Sequence, residues 1–319
     1  MSELAVRVVG VSKRFGNHLA VDDVGFEVPL GVIYGVLGPN GAGKSTTLRM
    51  LVDIIAPDAG TIELLGGLRP GPAAAARLGY LPEERGLYPK MKVADMLRFM
   101  GELRGLAGVE ARRRAGAWLE RLGLTAWAGN KVEDLSKGMQ QKVQFVTALI
   151  HEPELVILDE PWSGLDPINA EVLREVALTL RAEGKTVLFS THGMAQAEQI
   201  CDHVCIIARG RVVLDGRLDE LRRAAAAEAR VALVVDGTGA APILADRSLV
   251  AAVDDATPGL HLLELAAGAT AQRLLAALVG AGVAVRRFEL VTPSLHQIFV
   301  DRVGAEEARV AARREEGAA

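Results

Sequence analysis

Residues 38–46, GPNGAGKST, decide the fold of this chain because they fit the pattern G-x-x-x-x-G-K-[ST]. The stretch consists of Gly38, Pro39, Asn40, Gly41, Ala42, Gly43, Lys44, Ser45 and Thr46. Its glycines give the backbone freedom to wrap closely around a polyphosphate, whose oxygens the inward-facing N–H groups can bind. Lys44 can reach the β and γ phosphates, and the Ser45 hydroxyl can ligate Mg²⁺. The pattern predicts a nucleoside triphosphate site.

The flanking sequence places this loop between a strand and a helix. Residues 32–37 form a short apolar run that is typical of a buried parallel strand. Residues 46–54 predict a helix whose N-terminus faces the phosphates, where its dipole favours negative charge. Strand, glycine loop and helix in this order predict an α/β domain.

A second strong signal is the pair of carboxylates that follows an apolar strand. Asp159 and Glu160 come directly after Leu155-Val156-Ile157-Leu158. Ligands of open α/β sheets bind at the carboxyl ends of the strands, so both acids face the predicted nucleotide. Asp159 suits a Mg²⁺ ligand, and Glu160 suits a general base that activates water.

Three weaker signals each allow two interpretations. Phe15 could stack on an adenine ring, or it could be an ordinary core or surface side chain. Ser136 could cap a helix over 138–150, or it could open a second anion site that is separate from the first. His192 follows a buried strand and could bond the γ phosphate, or it could be a satisfied structural histidine.

Composition limits the class of protein. The chain has 319 residues, of which 50% are hydrophobic, and a net charge of −4. We expect one large and one small domain and no nucleic-acid partner, because nucleic-acid binders usually have a basic balance. No apolar run of about 18 residues could span a membrane, and no signal-peptide pattern occurs. We therefore expect a cytoplasmic protein.

Two cysteines, Cys201 and Cys205, lie close together in the sequence. A metal site would need more ligands nearby. Small buried side chains at a helix-to-strand junction are therefore favoured over a metal or disulfide role.

The chain divides into two predicted domains. Residues 1–222 form the nucleotide domain, with an antiparallel β part before the loop and a helical subdomain over about 83–150. A linker or a helix extension is predicted over 223–229, an accessory α+β domain over 230–303 and a flexible tail over 304–319. Within the accessory domain we expect strands at 230–236, 248–254, 260–265 and 283–290, a helix at 270–281, and a helix from 294 to 300.

Taken together, the motifs of residues 1–222 resemble the ATP-binding subunit of an ATP-binding-cassette (ABC) transporter. Gly38–Ser45 corresponds to Walker A, Asp159 and Glu160 to the end of Walker B, and Phe15 to the adenine-stacking aromatic. The family signature corresponds to residues 135–139 and includes Ser136, Lys137, Gly138 and Met139. Asp166 corresponds to the D-loop aspartate and His192 to the switch histidine.

The resemblance implies a mechanism and partners. In this family two ATP-binding subunits close head-to-tail, and each ATP with its Mg²⁺ lies between Walker A of one and the signature of the other. The second subunit is another copy or a homologous chain, and the pair works with integral-membrane permease subunits at the inner face of the cell membrane. The rival hypotheses are a soluble ABC ATPase without a membrane partner and a regulatory module without turnover.

The chain departs from the family pattern at two places. Lys137 and Met139 replace the usual Gly and Gln of the signature, whereas Ser136 and Gly138 are kept. Glu83 replaces the usual glutamine of the Q-loop, where a carboxylate could meet Mg²⁺ or water but would repel phosphates. Residues 80–88 and 293–300 are similar to the bacterial type-2 exporter branch, the sodium-export-like group with a C-terminal accessory domain.

Overall fold

The computed structural model describes residues 4–84, 86–226, 230–237, 239–257, 259–291 and 294–300. The chain divides between Arg217 and Leu218 into two compact units. This division lies five residues before the boundary that the sequence predicts at residue 222. In the described part of the chain, no helix is both long and apolar enough to cross a membrane.

The first unit alternates strands and helices. Its elements are β1 (Leu4–Phe15), β2 (His18–Pro29), β3 (Ile33–Leu37), α1 (Lys44–Leu51), β4 (Ala59–Leu64), α2 (Pro72–Ala75), β5 (Leu78–Leu81), α3 (Val93–Leu103), α4 (Gly108–Arg121), α5 (Lys137–Leu149), β6 (Leu155–Asp159), α6 (Pro167–Ala182), β7 (Thr186–Thr191), α7 (Met194–Ile200), β8 (His203–Ala208) and β9 (Arg211–Arg217). Two short 3₁₀ helices, Thr125–Trp127 and Val132–Asp134, precede α5.

The central sheet brings the predicted site residues to one edge. Its strand order is β5-β6-β7-β3-β8-β9, and β5, β6, β7, β3 and β8 run parallel. Every residue of β3, β6 and β7 is buried, which explains why β3 and β6 have no charged residue except Asp159. Leu37 pairs with Thr191, and Asp159 pairs with Ser190. The three carboxyl ends that precede residue 38, residue 160 and residue 192 therefore lie side by side.

A smaller antiparallel sheet confirms the predicted antiparallel β part. Its order is β2-β1-β4. Alternate side chains of β2, such as Val24, Phe26 and Val28, are buried in a core that also contains Leu48 of α1. Burying one face of each long strand fixes the register of the sheet and packs it against the loop-to-helix segment.

A helical layer stands between β5 and β6 in the sequence. Helices α3 and α4 pack on each other, and α5 packs on β5 and α6. Val93, Met96 and Leu97 are fully buried, as the helical period of the sequence predicts. This layer carries the Ser136 segment at the start of α5.

The second unit contains α8 (Leu218–Ala226), β10 (Arg230–Asp236), α9 (Ala241–Leu244), β11 (Val250–Thr257), β12 (Leu260–Leu265), α10 (Ala271–Gly280) and β13 (Ala284–Val291). From β10 onward the order is β-α-β-β-α-β, and the antiparallel sheet has the strand order β11-β12-β10-β13. This is the split β-α-β arrangement of ferredoxin-like domains. Its core joins Val231 and Leu233 to Leu274 and Leu278 of α10.

Several boundaries in this unit differ from those that the sequence predicts. Helix α8 runs to Ala226 and so includes the first residues of the predicted linker, because Leu, Glu, Arg and Ala favour a helix. The strand predicted over 248–254 lies at Val250–Thr257, and α9 is an additional helix. Residues 295–300 are helical, as predicted. Residues 227–229 of the predicted linker and the predicted tail, 304–319, lie outside the described residues.

Candidate functional site

A cavity of about 390 Å³ lies above the glycine loop, at the edge where the parallel strands end. Residues 40–46 line it, together with Phe15, His18, Ala20, Glu83 and Glu160. The volume falls within the range of small-molecule sites, about 300–1,000 Å³. The fold thus brings the loop, Phe15, Glu83 and Glu160 together, while His18 and Ala20 line the cavity without having been predicted.

Close approach to neighbouring backbone requires glycine at two positions of the loop, Gly38 and Gly43. A Cβ at Gly38 would lie 2.0 Å from the carbonyl oxygen of Ile207, and one at Gly43 would lie 2.5 Å from that of Ala20. Both residues also have positive φ, +148° and +105°. The loop therefore holds its shape only with these glycines, and α1 begins at once with Lys44.

Lys44 is held by groups that a polyphosphate could replace. Its Nζ donates to the carbonyl oxygens of Gly38 and Pro39, at 2.8 and 3.1 Å. It also lies 3.5 Å from Oε1 of Glu160. Both side chains are buried, so the lysine is fixed at the cavity with its charge partly balanced by the carboxylate.

Asp159 has one saturated and one unpartnered carboxylate oxygen. Oδ1 accepts the hydroxyls of Ser45 at 3.0 Å and Ser190 at 2.5 Å. Oδ2 is buried and has no hydrogen-bond partner among the described residues. An orphaned buried carboxylate oxygen is costly unless a cation or donor meets it. Together with the Ser45 hydroxyl, this donor set fits Mg²⁺, which binds one or two protein oxygens and completes its shell with phosphates and water.

Glu160 stands in an unusual backbone conformation beside the loop. Its φ is +48°, a left-handed value that costs a non-glycine residue about 1–3 kcal/mol. Its N–H donates to the carbonyl oxygen of Ser190 at 3.2 Å and to the Ser190 hydroxyl at 3.0 Å. These bonds hold the strained turn that points the carboxylate toward the cavity.

His192 completes a side-chain cluster around Glu160. Its Nδ1 lies 3.1 Å from each carboxylate oxygen of Glu160, within hydrogen-bonding distance when Nδ1 carries the hydrogen. Glu160 is 8% exposed and His192 is 55% exposed. The histidine thus covers the carboxylate from the solvent side and leaves Nε2 free to bond another group.

The Ser136 segment lies elsewhere. Ser136 accepts the N–H of Met139 at 3.3 Å and so caps α5. Neither Ser136 nor Lys137, Gly138 or Met139 is among the described residues that line the cavity. In this chain the Ser136 segment is therefore separate from the cavity.

Asp166 is near the Ser136 segment rather than in the cavity. It caps α6 by accepting the backbone and side-chain N–H groups of Asn169, at 3.0 and 2.6 Å, and these bonds lower the pKa of the carboxyl. The Nδ2 of the same Asn169 lies 2.6 Å from the position that a Cβ of Gly138 would occupy. Gly138 is thus needed for the close approach of α5 and α6.

Ser190, Gln141 and Gln144 were not identified from the sequence. Ser190 is a polar residue near the end of a strand whose residues are all buried, and this pattern is the signal that could have found it. Gln141 and Gln144 lie on α5 and are buried, but their contacts cross between distant segments. Cys201 and Cys205 are free thiols; Cys205 is buried as predicted, Cys201 is half-buried, and burial raises the pKa of both thiols.

Comparison with known proteins identifies two matching family models. The model described as ABC transporter matches residues 21–163. The model described as ATP-binding protein DrrA1-3-like, C-terminal domain, matches residues 216–303. The matches fall on the two units of the fold.

Curated relatives match over nearly the whole chain. The uncharacterized ABC transporter ATP-binding protein YhaQ of Bacillus subtilis is 41% identical over 92% of this chain and 97% of its own length. The linearmycin resistance ATP-binding protein LnrL of Bacillus subtilis is 34% identical over 92% of this chain and 96% of its own. The Nod factor export ATP-binding protein I of Cupriavidus metallidurans is 41% identical over 66% of this chain and 70% of its own.

Solved structures agree on the fold of the first unit. The ATP-binding subunit of an ABC transporter superimposes with a TM-score of 0.64 and 35% identity, covering 69% of this chain and 92% of that one. The cassette MJ0796, solved as a dimer bound to ADP and Pi, has a TM-score of 0.61 and 23% identity, covering 67% and 98%. At that identity the second likeness carries the fold alone.

Proposed function

Because this chain belongs to the family of ABC transporter ATP-binding proteins, we propose that it energises an exporter by ATP-driven, head-to-tail pairing of two subunits. As a member it binds ATP and is an ATPase. We propose three further points: the pairing of two subunits, the export direction and the role of each residue.

The observation that carries the proposal is the separation of the two anion sites. The cavity gathers the glycine loop and Glu160, whereas Ser136 caps a helix whose start lies outside that cavity. The N-terminus of α5 favours a phosphate, but one nucleotide cannot use both sites of the same chain. A second subunit, either another copy or a homologous chain, resolves this by presenting its Ser136 segment to the cavity.

The cavity residues divide the work of ATP hydrolysis. Lys44 and the backbone of residues 38–46 bind the phosphates, and Phe15, which is 47% exposed at the rim, stacks on adenine. Ser45 and Asp159 would hold Mg²⁺, which when bound neutralises the charge of the β and γ phosphates. ATP binding also draws Lys44 from Glu160, which leaves that carboxylate free to accept a proton.

Glu160 is the general base in this proposal. It accepts a proton from the water that attacks the γ phosphate in line. His192 keeps Glu160 oriented through its Nδ1–H and offers Nε2 to the γ phosphate. Asp166 acts indirectly, because it holds Asn169 against the helix that carries Ser136, Lys137, Gly138 and Met139.

Glu83 places a carboxylate in a cavity that is proposed to bind phosphates. It lines the cavity opposite a loop built to bind negative charge. We propose that it meets Mg²⁺ or the attacking water, since a direct contact with phosphate would be repulsive. Its role is to report the state of the nucleotide to the membrane partner.

The membrane partner is proposed from the relatives. Their names describe Nod factor export and linearmycin resistance, both consistent with moving a compound out of the cell. We propose integral-membrane permease subunits as partners and the inner face of the cell membrane as the place of work.

Co-purification from the native host in mild detergent tests this function. The tagged full-length chain is expected to bring down a multi-span permease in a stable ratio. Lys44→Ala serves as the comparison, because it keeps the surface and removes nucleotide-driven closure. A chain that recovers no multi-span protein would favour the soluble ABC ATPase instead.

A further inference from the structure

Helix α5 carries three glutamines whose side-chain amides bond different segments. Gln140 donates from Nε2 to the carbonyl oxygens of Val132 and Leu135, both 3.1 Å away and both just before the helix. Gln144 instead donates from Nε2 to the carbonyl oxygens of Pro82 and Glu84, at 3.2 and 3.0 Å. The side chain of Gln144 therefore holds the backbone on both sides of Glu83.

The direction of the Gln144 amide is set by its partners. Both neighbours are carbonyl oxygens, so only the NH₂ end can face them. Gln144 is 3% exposed, and its Oε1 has no hydrogen-bond partner among the described residues. The side chain makes two hydrogen bonds to one segment, although this leaves its own buried oxygen without a partner. We take this as a sign that Gln144 holds that segment in place and does more than fill space in the core.

Gln141 makes a parallel contact one turn earlier. Its Nε2 donates to the carbonyl oxygen of Pro161 at 3.2 Å, and Pro161 directly follows Glu160. Gln141 and Gln144 are three residues apart and so share one face of α5. This face is bonded to segments that carry two cavity residues, Glu160 and Glu83.

We propose that Gln144 is a positioning residue that couples Glu83 to the Ser136 end of α5. Ser136 and Gln144 are about 12 Å apart along the helix at 1.5 Å per residue. A helix of 13 residues moves as a rigid rod over this distance. A nucleotide of the second subunit that contacts Ser136 therefore shifts the carbonyls that flank Glu83. This inference rests on the proposed pairing of two subunits.

The test compares Gln144→Met with Lys142→Met in the full-length chain; Lys142 lies on the same helix and is not among the described residues that line the cavity. Met matches Gln in length but cannot donate, so Gln144→Met removes both bonds to the segment around Glu83. Gln144→Leu is a second variant, used if Gln144→Met lowers the melting temperature by more than a few degrees. The first readout is hydrogen exchange of peptides that contain Glu83, measured with and without ATP·Mg²⁺ in a Glu160→Gln background. The second readout is the Hill coefficient of ATP hydrolysis, measured in chains that keep Glu160.

In the chain that keeps Gln144, and in Lys142→Met, ATP is expected to slow exchange at the Glu83 peptides about tenfold, and the Hill coefficient is expected to exceed one. With Gln144→Met, exchange stays fast with or without ATP, the Hill coefficient falls to one, and binding of a fluorescent ATP analogue changes less than twofold. ATP-dependent protection and cooperativity that survive in Gln144→Met would overturn the inference and leave the proposed pairing intact. A Glu160→Gln chain that stays monomeric with ATP would overturn both.

Discussion

The Ser190 hydroxyl donates to Oδ1 of Asp159 across 2.5 Å inside the sheet. The Ser190 hydroxyl oxygen in turn accepts the N–H of Glu160 at 3.0 Å. One buried side chain thus fixes a carboxylate that can hold Mg²⁺ and the strained backbone of the proposed general base. Because Ser45 also bonds Oδ1 of Asp159, Oδ2 is the carboxylate oxygen left without a hydrogen-bond partner among the described residues, and it is the one proposed to bind Mg²⁺.

Replacing Ser190 by alanine is expected to lower kcat about 10- to 100-fold and raise the Mg²⁺ concentration needed for half-maximal rate. The lost bond is made to a charged group and contributes about 1.5–3 kcal/mol. Steady-state ATPase assays across a Mg²⁺ titration measure both effects. Ser190→Thr, which keeps the hydroxyl, should retain most activity. Equal rates in Ser190→Ala and the unmodified chain would show that this hydroxyl positions neither carboxylate.

Lys44→Ala is expected to weaken ATP binding about 100-fold, because two charge-assisted phosphate contacts of about 1.5 kcal/mol each are lost. Titration with a fluorescent ATP analogue measures the change. Lys90, an exposed lysine that is not among the described cavity residues, provides the matched control as Lys90→Ala. Unchanged affinity in Lys44→Ala would show that Lys44 does not bind the phosphates of ATP.

The position of Asp159 and Glu160 at the carboxyl edge of the sheet was predictable from the sequence, whereas the residues that hold this edge in place were not. Asp159 and Glu160 follow a purely apolar strand, so the sequence alone places them at the carboxyl edge of a sheet. Ser190 and Gln144 act through contacts with residues 31 and about 60 positions away, which no local pattern encodes. The extension of α8 to Ala226 was left open by the sequence, since an Ala-rich stretch suits both a linker and a helix.

Tyr34 supplies a test of the fold that is independent of the nucleotide. It is fully buried, burial raises the pKa of its hydroxyl, and the hydroxyl bonds Oδ1 of Asp215 at 2.5 Å. Burial also raises the pKa of the Asp215 carboxyl, against which the Tyr34 bond acts. A raised carboxyl pKa means that the contribution of Asp215 to stability falls as pH rises through that pKa.

Tyr34→Phe is therefore expected to destabilise the first unit by about 1 kcal/mol at neutral pH, and less in mild acid, where protonated Asp215 needs no donor. The magnitude stays at the low end because Asp215 remains partly accessible to water, which can replace the donor. Thermal unfolding at two pH values measures it. In an Asp215→Asn background the cost of Tyr34→Phe should no longer depend on pH; a pH-dependent cost there would assign the effect to another group.

The molecular mass of Glu160→Gln in ATP·Mg²⁺, measured by light scattering after size exclusion, tests the composite site most directly. Loss of the general base should slow hydrolysis about 10²- to 10⁴-fold, so that the closed pair accumulates. We predict that Glu160→Gln is a dimer with ATP and a monomer with ADP. When Ser136→Arg is added, we predict a monomer that still binds ATP. A Glu160→Gln chain that remains monomeric with ATP, or a dimer that survives Ser136→Arg, would contradict it.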